Sequence, residues 1–180
     1  ADEEEEYDWR FQPVLGANDG ASGVGVILEL VRQMAIMKTQ GELIPSLQVV
    51  FFDCEDMGTP SHYTGPQQKD DWCLGSQLWA KEYKQATQQS QSSTPHIQYG
   101  ILLDMVGNSN PRYTKEEVSR TFAPGLMNRV WDVANQLGYS SSFVNENTPA
   151  ILDDHLYVNQ IAQIPMVDIV QNQPGVSFFE

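Results

Sequence analysis

Three runs of apolar residues predict buried β-strands in this chain. They are Leu47–Phe52, Tyr99–Val106 and Ile164–Val170, and the first is almost unbroken in β-branched and aromatic residues. An apolar run without polar alternation indicates a strand that is covered on both faces, as in the parallel sheets of α/β domains. We therefore place Leu47–Phe52 at the centre of the predicted fold.

The segments between these strands have the periodicity of helices. From about Ser22 to Met37, the apolar residues Val26, Leu30, Val31 and Met34 recur at helical spacing. Further helices are predicted from Trp72 to about Ala86, over Pro124–Leu137 with Gly138 closing it, and at the end of the stretch Thr148–His155. Because strands and helices alternate without internal repeats, we expect an α/β fold, with a mixed or mostly parallel sheet and helices on both faces.

Length and charge narrow the class of protein. The chain has 180 residues, which suits one domain, and a formal net charge of −14 from 10 basic and 24 acidic residues. This excess of acid argues against nucleic acid or an anionic membrane surface as a partner. The run Asp2–Glu6 is interpreted as solvated, because it lacks the spacing and turn glycine of a calcium loop. No segment is long and apolar enough to cross a membrane, and no signal peptide is visible. Whether Cys54 and Cys73 form a disulfide stays open.

Acidic residues follow the predicted strands and precede two of the predicted helices. They are Asp19 in the glycine-rich loop before the first helix, Glu55 and Asp56 after the central strand, Asp104 at the end of the next strand, and Asp153 and Asp154 before the short helix. Open α/β sheets bind their ligands at the carboxyl ends of the strands, so we expect these carboxylates to share one cleft. Their mutual repulsion favours a bound cation, and a metal ion is the simplest one.

The residues alone leave the metal and the individual roles open. Oxygen-rich sites hold magnesium or calcium, and zinc is also bound by carboxylates together with histidine. A metal would act as a Lewis acid or activate water, while a free carboxylate moves protons. Any single acid, such as Asp19, could instead cap a helix or lie on the surface. His155 is expected to orient a neighbouring carboxylate rather than to bind the metal. Nucleotide, serine-hydrolase and CxxC redox motifs are absent.

Four segments follow one another in the order and with the gaps of a known family. They are Gly16-Ala-Asn-Asp-Gly-Ala-Ser-Gly23, Phe51-Phe-Asp-Cys-Glu-Asp56, Leu102-Leu-Asp-Met-Val-Gly107 and Ile151-Leu-Asp-Asp-His155. Together they resemble the zinc glutaminyl cyclases of the animal-type class and, more widely, the zinc aminopeptidase superfamily that includes them. The resemblance covers nearly the whole chain and implies a three-layer α/β/α sandwich. Bacterial glutaminyl cyclase-like proteins look closest, and since these are generally exported, a periplasmic or secreted location is implied.

The resemblance assigns expected roles to five residues. Asp19 and Asp56 match the metal-binding positions, and Glu55 matches the general acid/base glutamate. Asp104 and Asp153 match two aspartates that form a hydrogen-bond relay with the substrate. The implied cofactor is zinc, and the implied substrate is a peptide with an N-terminal glutamine, which would be cyclised to pyroglutamate with release of ammonia. The alternatives are a zinc aminopeptidase, in which Asp104 would ligate a second metal, and a non-catalytic relative.

The chain also departs from the family pattern. Asp56 stands where the family has a glutamate, so this ligand is one carbon shorter. The family's last metal ligand, a histidine in a Trp-His-Thr segment, would follow Glu180, and the superfamily's early histidine would precede Ala1. The aromatic residue that cyclases carry after the central strand has no clear match between Met57 and Pro66. We therefore expect a single catalytic domain over residues 1–180 that lacks its N-terminal and C-terminal parts.

Overall fold

The computed structural model describes residues 15–59, 63–66, 70–89 and 94–171. The predicted acidic run at 2–6 lies outside these residues. In chain order the elements are α1 (Ala21–Thr39), α2 (Leu74–Gln88), β1 (Gly100–Asp104), β2 (Tyr113–Lys115), α3 (Glu117–Phe122), α4 (Pro124–Gln136), β3 (Phe143–Asn147), α5 (Asp154–Tyr157), a π-helical turn (Val158–Ala162) and β4 (Met166–Val170). None of the helices in this part of the chain has the length and apolar character to span a bilayer.

The strands form two parallel pairs. β1 pairs with β4 in the register Gly100–Met166 through Asp104–Val170. β2 pairs with β3, with an irregularity between Tyr113 and Lys115, and a single antiparallel bridge from Tyr113 to Gln171 connects the two pairs. Parallel strands that alternate with helices confirm the predicted α/β class.

The predicted strand Leu47–Phe52 is wrong as a sheet strand. Residues 41–54 form no helix or strand, and Leu47, Val49 and Phe51 have exposed side chains. An apolar run becomes a strand only where a neighbour supplies the ladder hydrogen bonds, and within the described ranges β1 pairs with β4 alone. Phe52, however, is partly buried and packs edge-on against Trp79 of α2.

Two clusters of apolar side chains lie on opposite faces of β4. Val167 and Ile169 contact the first cluster, which includes Met127 and Trp131 of α4. Met166 belongs to the second cluster, with Val158 and Ile164 and the partly buried side chains of α2. Successive side chains of a strand point to opposite faces, so Asp168 shares a face with Met166. Every residue of β4 is buried, and Asp168 is therefore an acid in the interior of the protein.

Both ends of α4 are set by residues whose backbone suits a helix end. α4 begins with Pro124, whose fixed φ and missing N–H suit the first helical position. The chain leaves this helix through Gly138 at φ +89°, a left-handed conformation that glycine adopts without steric cost. The Trp131 ring Nε1 donates a hydrogen bond to the Val144 carbonyl at 3.0 Å, which holds α4 against β3.

Candidate functional site

The loop that carries Asp19 is held against the end of β1. The Asn18 side-chain oxygen accepts a hydrogen bond from the Gly107 backbone N–H at 2.8 Å. The Ser22 hydroxyl accepts one from the Val106 backbone N–H at 3.0 Å. The N-cap position of α1 is Gly20 and not Asp19, so the helix-cap interpretation of Asp19 does not hold. These contacts place Asp19 beside the carboxyl end of β1, where Asp104 lies.

The start of α2 fixes the loop that carries Glu55. Three successive backbone amides of this helix donate to three successive carbonyl oxygens: Cys73 N to Glu55 O at 2.9 Å, Leu74 N to Cys54 O at 3.1 Å, and Gly75 N to Asp53 O at 3.0 Å. A Cβ atom at position 75 would lie 2.2 Å from the Asp53 oxygen, so only glycine permits this approach. The free N–H groups of the first helical turn are thus satisfied by the acidic loop.

Glu55 meets Asp153 and Cys73 in one group of side chains. One side-chain atom from each of the three residues lies within 4.8 Å of the other two. The Cys73 thiol donates to the Glu55 carboxylate at 3.6 Å. Both cysteines are free thiols, Cys73 buried and Cys54 exposed, which answers the open question of a bridge. The predicted catalytic residues Glu55 and Asp153 therefore do lie together.

Burial and neighbouring carboxylates raise the pKa values of four predicted site residues: Asp19, Glu55, Asp104 and Asp153. Burial, then hydrogen bonding to Asp56 and the charge of Asp56, raise the pKa of Glu55 to about 8. Burial and the charge of Asp19 raise the pKa of Asp104 to about 6. The pKa of Asp19 is raised by burial and by Asp56, and that of Asp153 by burial and by Asp104. The structure thus brings all five predicted residues into one electrostatic cluster.

This cluster fits a bound cation. The neighbouring charges that raise these pKa values are all carboxylates. A divalent ion among them would relieve the repulsion that now favours their protonated forms. Asp56 is exposed and Asp19 is half-buried, so an ion can reach both from solvent. Carboxylate oxygens of this kind are zinc ligands in proteins.

A second set of polar side chains lies behind Asp153, away from solvent. The His155 Nε2 atom lies 3.2 Å from a carboxylate oxygen of Glu116, and both side chains are fully buried. Burial alone would raise the pKa of Glu116, but the hydrogen bond to His155 and the charge of His155 keep that pKa below its usual value. His155 thus contacts a carboxylate, and its expected role of orienting one rather than binding the metal stays a prediction. Asp153, His155 and Asp168 form a further group whose side-chain atoms lie within 4.8 Å of one another.

Sequence reasoning missed three members of these groups, namely Cys73, Glu116 and Asp168. Asp168 carried a visible signal, because it interrupts the apolar run Pro165-Met-Val-Asp-Ile-Val170, where an acid is almost never buried without a specific role. Glu116 lies just before a helix, where acidic N-caps are common, but nothing local indicated its contact with His155. Cys73 carried no such signal.

Comparison with known proteins identifies the family of this chain. The model of the family described as Peptidase family M28 matches residues 4–178. The chain belongs to peptidase family M28. A search of the curated proteins finds no match. The zinc aminopeptidase resemblance and the predicted zinc aminopeptidase-like α/β fold are thereby confirmed.

Solved structures of M28 relatives include both cyclases and exopeptidases. A glutaminyl cyclase of Bacteroides thetaiotaomicron, bound to N-acetylhistamine, is 40% identical with a TM-score of 0.77, over 93% of this chain and 55% of its own. A leucine aminopeptidase precursor of the same organism is 40% identical with a TM-score of 0.76, over 92% of this chain and 54% of its own. A Zn-dependent exopeptidase of Parabacteroides distasonis is 40% identical with a TM-score of 0.76, over 92% of this chain and 52% of its own.

The chain thus spans about half the length of the structures it matches. Its M28 membership makes it part of an enzyme family in which zinc-dependent members are known. Zinc is accordingly the metal that the family indicates for the carboxylate cluster.

Proposed function

We propose that the protein is a glutaminyl-peptide cyclotransferase, which converts the N-terminal glutamine of a peptide to pyroglutamate and releases ammonia. The proposal rests mainly on one observation: a carboxylate oxygen of Glu55 lies within 4.8 Å of one from the buried Asp153. The carboxylates of Asp19 and Asp56 influence each other beside this pair. Several of the similar solved structures are glutaminyl cyclases, which supports the same assignment.

The reaction needs one proton to move between two nitrogens. The substrate's α-amine attacks the carbon of its own side-chain amide, a C–N bond forms to close the ring, and the bond to the amide nitrogen breaks. Glu55 accepts the proton that the attacking amine loses and delivers it to the departing ammonia. Its half-buried carboxyl group lies within 4.8 Å of an Asp153 oxygen and keeps partial access to solvent, so it could serve both nitrogens in turn.

Asp19 and Asp56 would hold the zinc ion in this proposal. When bound, zinc supplies Lewis-acid polarisation of the side-chain amide carbonyl. Asp104 and Asp153 hold protons readily, because burial raises the pKa of each. A carboxyl group that keeps its proton can donate a hydrogen bond to the amide oxygen and accept one in return through its other oxygen. The two aspartates would thus orient the amide for attack.

A zinc-dependent aminopeptidase is the second candidate. The similarity to a leucine aminopeptidase precursor and to a Zn-dependent exopeptidase favours it. Glu55 would then take its proton from water instead of from the substrate amine, and Asp104 would be ionised as a ligand to a second zinc. A third candidate is a non-catalytic relative, because Asp56 is one carbon shorter than the glutamate that the family has at this position.

Two peptides on the full-length protein separate these candidates. The protein is incubated with a Gln-initiated and a Leu-initiated peptide, and both are followed by mass spectrometry. Loss of ammonia from the Gln peptide alone, stopped by a zinc chelator, supports the cyclase. Release of free leucine, with two zinc ions per chain, assigns the aminopeptidase. Bound zinc without change in either peptide overturns both.

The location of the protein is a further proposal. The resemblance to exported bacterial glutaminyl cyclase-like proteins supports a periplasmic or secreted site. Cell fractionation with an antibody to the protein tests this, and recovery in the cytoplasm would contradict it.

A further inference from the structure

Asp168 is an acid without an evident partner in the interior of the protein. Its side chain is fully buried, and within the described part of the chain neither carboxylate oxygen has a hydrogen-bond partner. The His155 Nδ1 atom is likewise buried and unpartnered there. A buried polar atom without a partner costs about 1–3 kcal/mol. Two such side chains side by side therefore indicate a proton arrangement that pairs them with each other.

The backbone holds Asp168 and His155 in a fixed relation. The Asn159 side-chain amide donates to the carbonyl oxygens of His155 and Met166, each at 2.8 Å, and its oxygen accepts from the Met166 N–H at 3.0 Å. The Asp168 N–H donates to the Ser119 hydroxyl at 3.0 Å. These bonds tie α5 and α3 to β4, so the buried side chains meet in one arrangement.

Glu116 anchors the far side of the His155 ring. Its carboxylate accepts hydrogen bonds from the backbone amides of Val118, at 2.7 Å, and of Ser119, at the start of α3. These amides hold Glu116 in the ionised form, and the His155 Nε2 atom then carries a proton toward it. Nδ1 is left to face the side of the ring that Glu116 does not occupy.

We propose that Asp168 is a positioning residue that keeps its proton, accepts a hydrogen bond from Nδ1–H of His155, and donates its own O–H to Asp153. This series of hydrogen bonds gives a partner to each of the three unpartnered atoms, which are His155 Nδ1 and the two carboxyl oxygens of Asp168. If His155 instead lacked the Nδ1 proton, the Asp168 hydroxyl would bond to Nδ1, and the Asp168 carbonyl oxygen would have to accept a hydrogen bond from a protonated Asp153. The proposal rests on the proposed function, because Asp153 is the residue whose position matters for the cyclisation.

The surroundings of Asp168 agree with a retained proton. Burial raises the pKa of Asp168 well above its usual value, and so do the charges of the acids that face it: Asp153, Asp104, Glu116 and Asp154. Asp104 ends β1, Asp154 begins α5, and Glu116 and Asp153 directly precede α3 and α5, which are elements that contact β4.

Two substitutions on the full-length protein test the proposal. An asparagine has the same donor and acceptor pattern as a protonated aspartate, so D168N should keep kcat within about threefold of the parent. D168L removes both hydrogen bonds, and kcat should fall about 10- to 100-fold with KM little changed. The matched pair D132N and D132L, at an exposed aspartate of α4, controls for the substitutions themselves.

The opposite pattern overturns the proposal. If Asp168 acted as an ionised ligand, D168N would lose activity as D168L does. Bound metal, counted by mass spectrometry, would then also fall in D168N. That result would turn Asp153, His155 and Asp168 into a cation site. An unchanged kcat in D168L would show that Asp168 does not position Asp153 at all.

A readout on His155 separates this proposal from the proposed function. Nitrogen NMR of histidine-labelled protein should show both ring nitrogens of His155 protonated near neutral pH in the parent and in D168N. In D168L the Nδ1 signal should move toward that of an unprotonated nitrogen. This measurement stands even if the protein cyclises no peptide. A ring with one proton in the parent would overturn the proposal whatever the activity.

Discussion

The acids of this protein fall into two groups that differ in their access to water. The rim acids, Asp19, Glu55 and Asp56, are half-buried or exposed. The interior acids, Glu116, Asp153 and Asp168, are 0%, 6% and 0% exposed. Both groups are crowded with negative charge. The rim acids have the access to solvent that binding a cation from solution requires. The interior acids must balance their charges with protons, with His155 and with backbone amides.

Access to water thus decides which of two functions a buried or exposed carboxylate can have in this protein. A carboxylate at the rim keeps its charge when a metal ion is present and can pass protons to a substrate. A carboxylate in the interior is stable only if its charge is neutralised or hydrogen-bonded on the spot. Glu116 uses backbone amides and a histidine for this, and Asp168 uses a retained proton. The following changes test whether the two groups behave so differently.

The largest effect is expected from Glu55→Gln at the rim. Gln cannot accept and return a proton, so kcat for cyclisation should fall about 10²- to 10⁴-fold. Bound zinc should be retained, because Glu55 is not an assigned ligand. Peptide turnover by mass spectrometry measures the first quantity and metal analysis the second. E42Q, the same change at an exposed glutamate, serves as the control. An E55Q protein with more than a tenth of the parent kcat would rule out Glu55 as the proton carrier.

A large effect on folding is expected from Glu116→Ala in the interior. The change leaves His155 buried without its acid and uncaps α3, so the free energy of unfolding should fall by about 3–5 kcal/mol. Urea unfolding followed by circular dichroism measures it. The adjacent exposed residue gives the control, because E117A should lie within about 0.5 kcal/mol of the parent. Equal losses in E116A and E117A would contradict a buried, paired Glu116.

A smaller, pH-dependent effect is expected from Asp168→Asn. In the folded protein Asp168 holds its proton above the pH at which an unfolded aspartate loses it, so folding takes up a proton. The stability of the parent therefore declines as pH rises from about 4 toward the raised pKa, by up to about 1.4 kcal/mol per pH unit. D168N has no such proton. The unfolding free energy of D168N, measured in urea, should therefore rise relative to that of the parent as pH rises from about 4 toward the raised pKa of Asp168. A difference that does not vary with pH would show that Asp168 is ionised in the fold.

Local patterns in the sequence predicted the long elements well. The predicted helices near α1, α2 and α4 and the predicted strands near β1 and β4 agree with the structure to within about two residues at most ends. The short β2, α3 and β3 were not predicted, because three to six residues show too little periodicity. Residues 47–52 have the composition of a strand, but strand pairing depends on a distant partner that no local pattern can supply.

The site was predictable where acids follow strand ends and obscure where contact is non-local. Asp104 and Glu55 could be predicted because each comes at or just after the end of an apolar run. The structure places them in one cluster with Asp19, Asp56 and Asp153. The assignment of each to a ligand or a proton carrier stays a prediction. Glu116 and His155 are far apart in the chain, and only the packing of α3 against α5 and β4 brings them together.

The three hydrogen bonds between residues 53–55 and the start of α2 have a consequence for how much sequence change this part of the chain tolerates. They fasten Glu55 to α2, and the Thr59 N–H donates to the Asp71 carboxylate at 2.8 Å, so the segment between residues 59 and 71 begins and ends at two points that are held together. A change in the length or composition of that segment need not displace the glutamate. Insertions or exchanges in that segment are therefore expected to leave Glu55 within reach of Asp153.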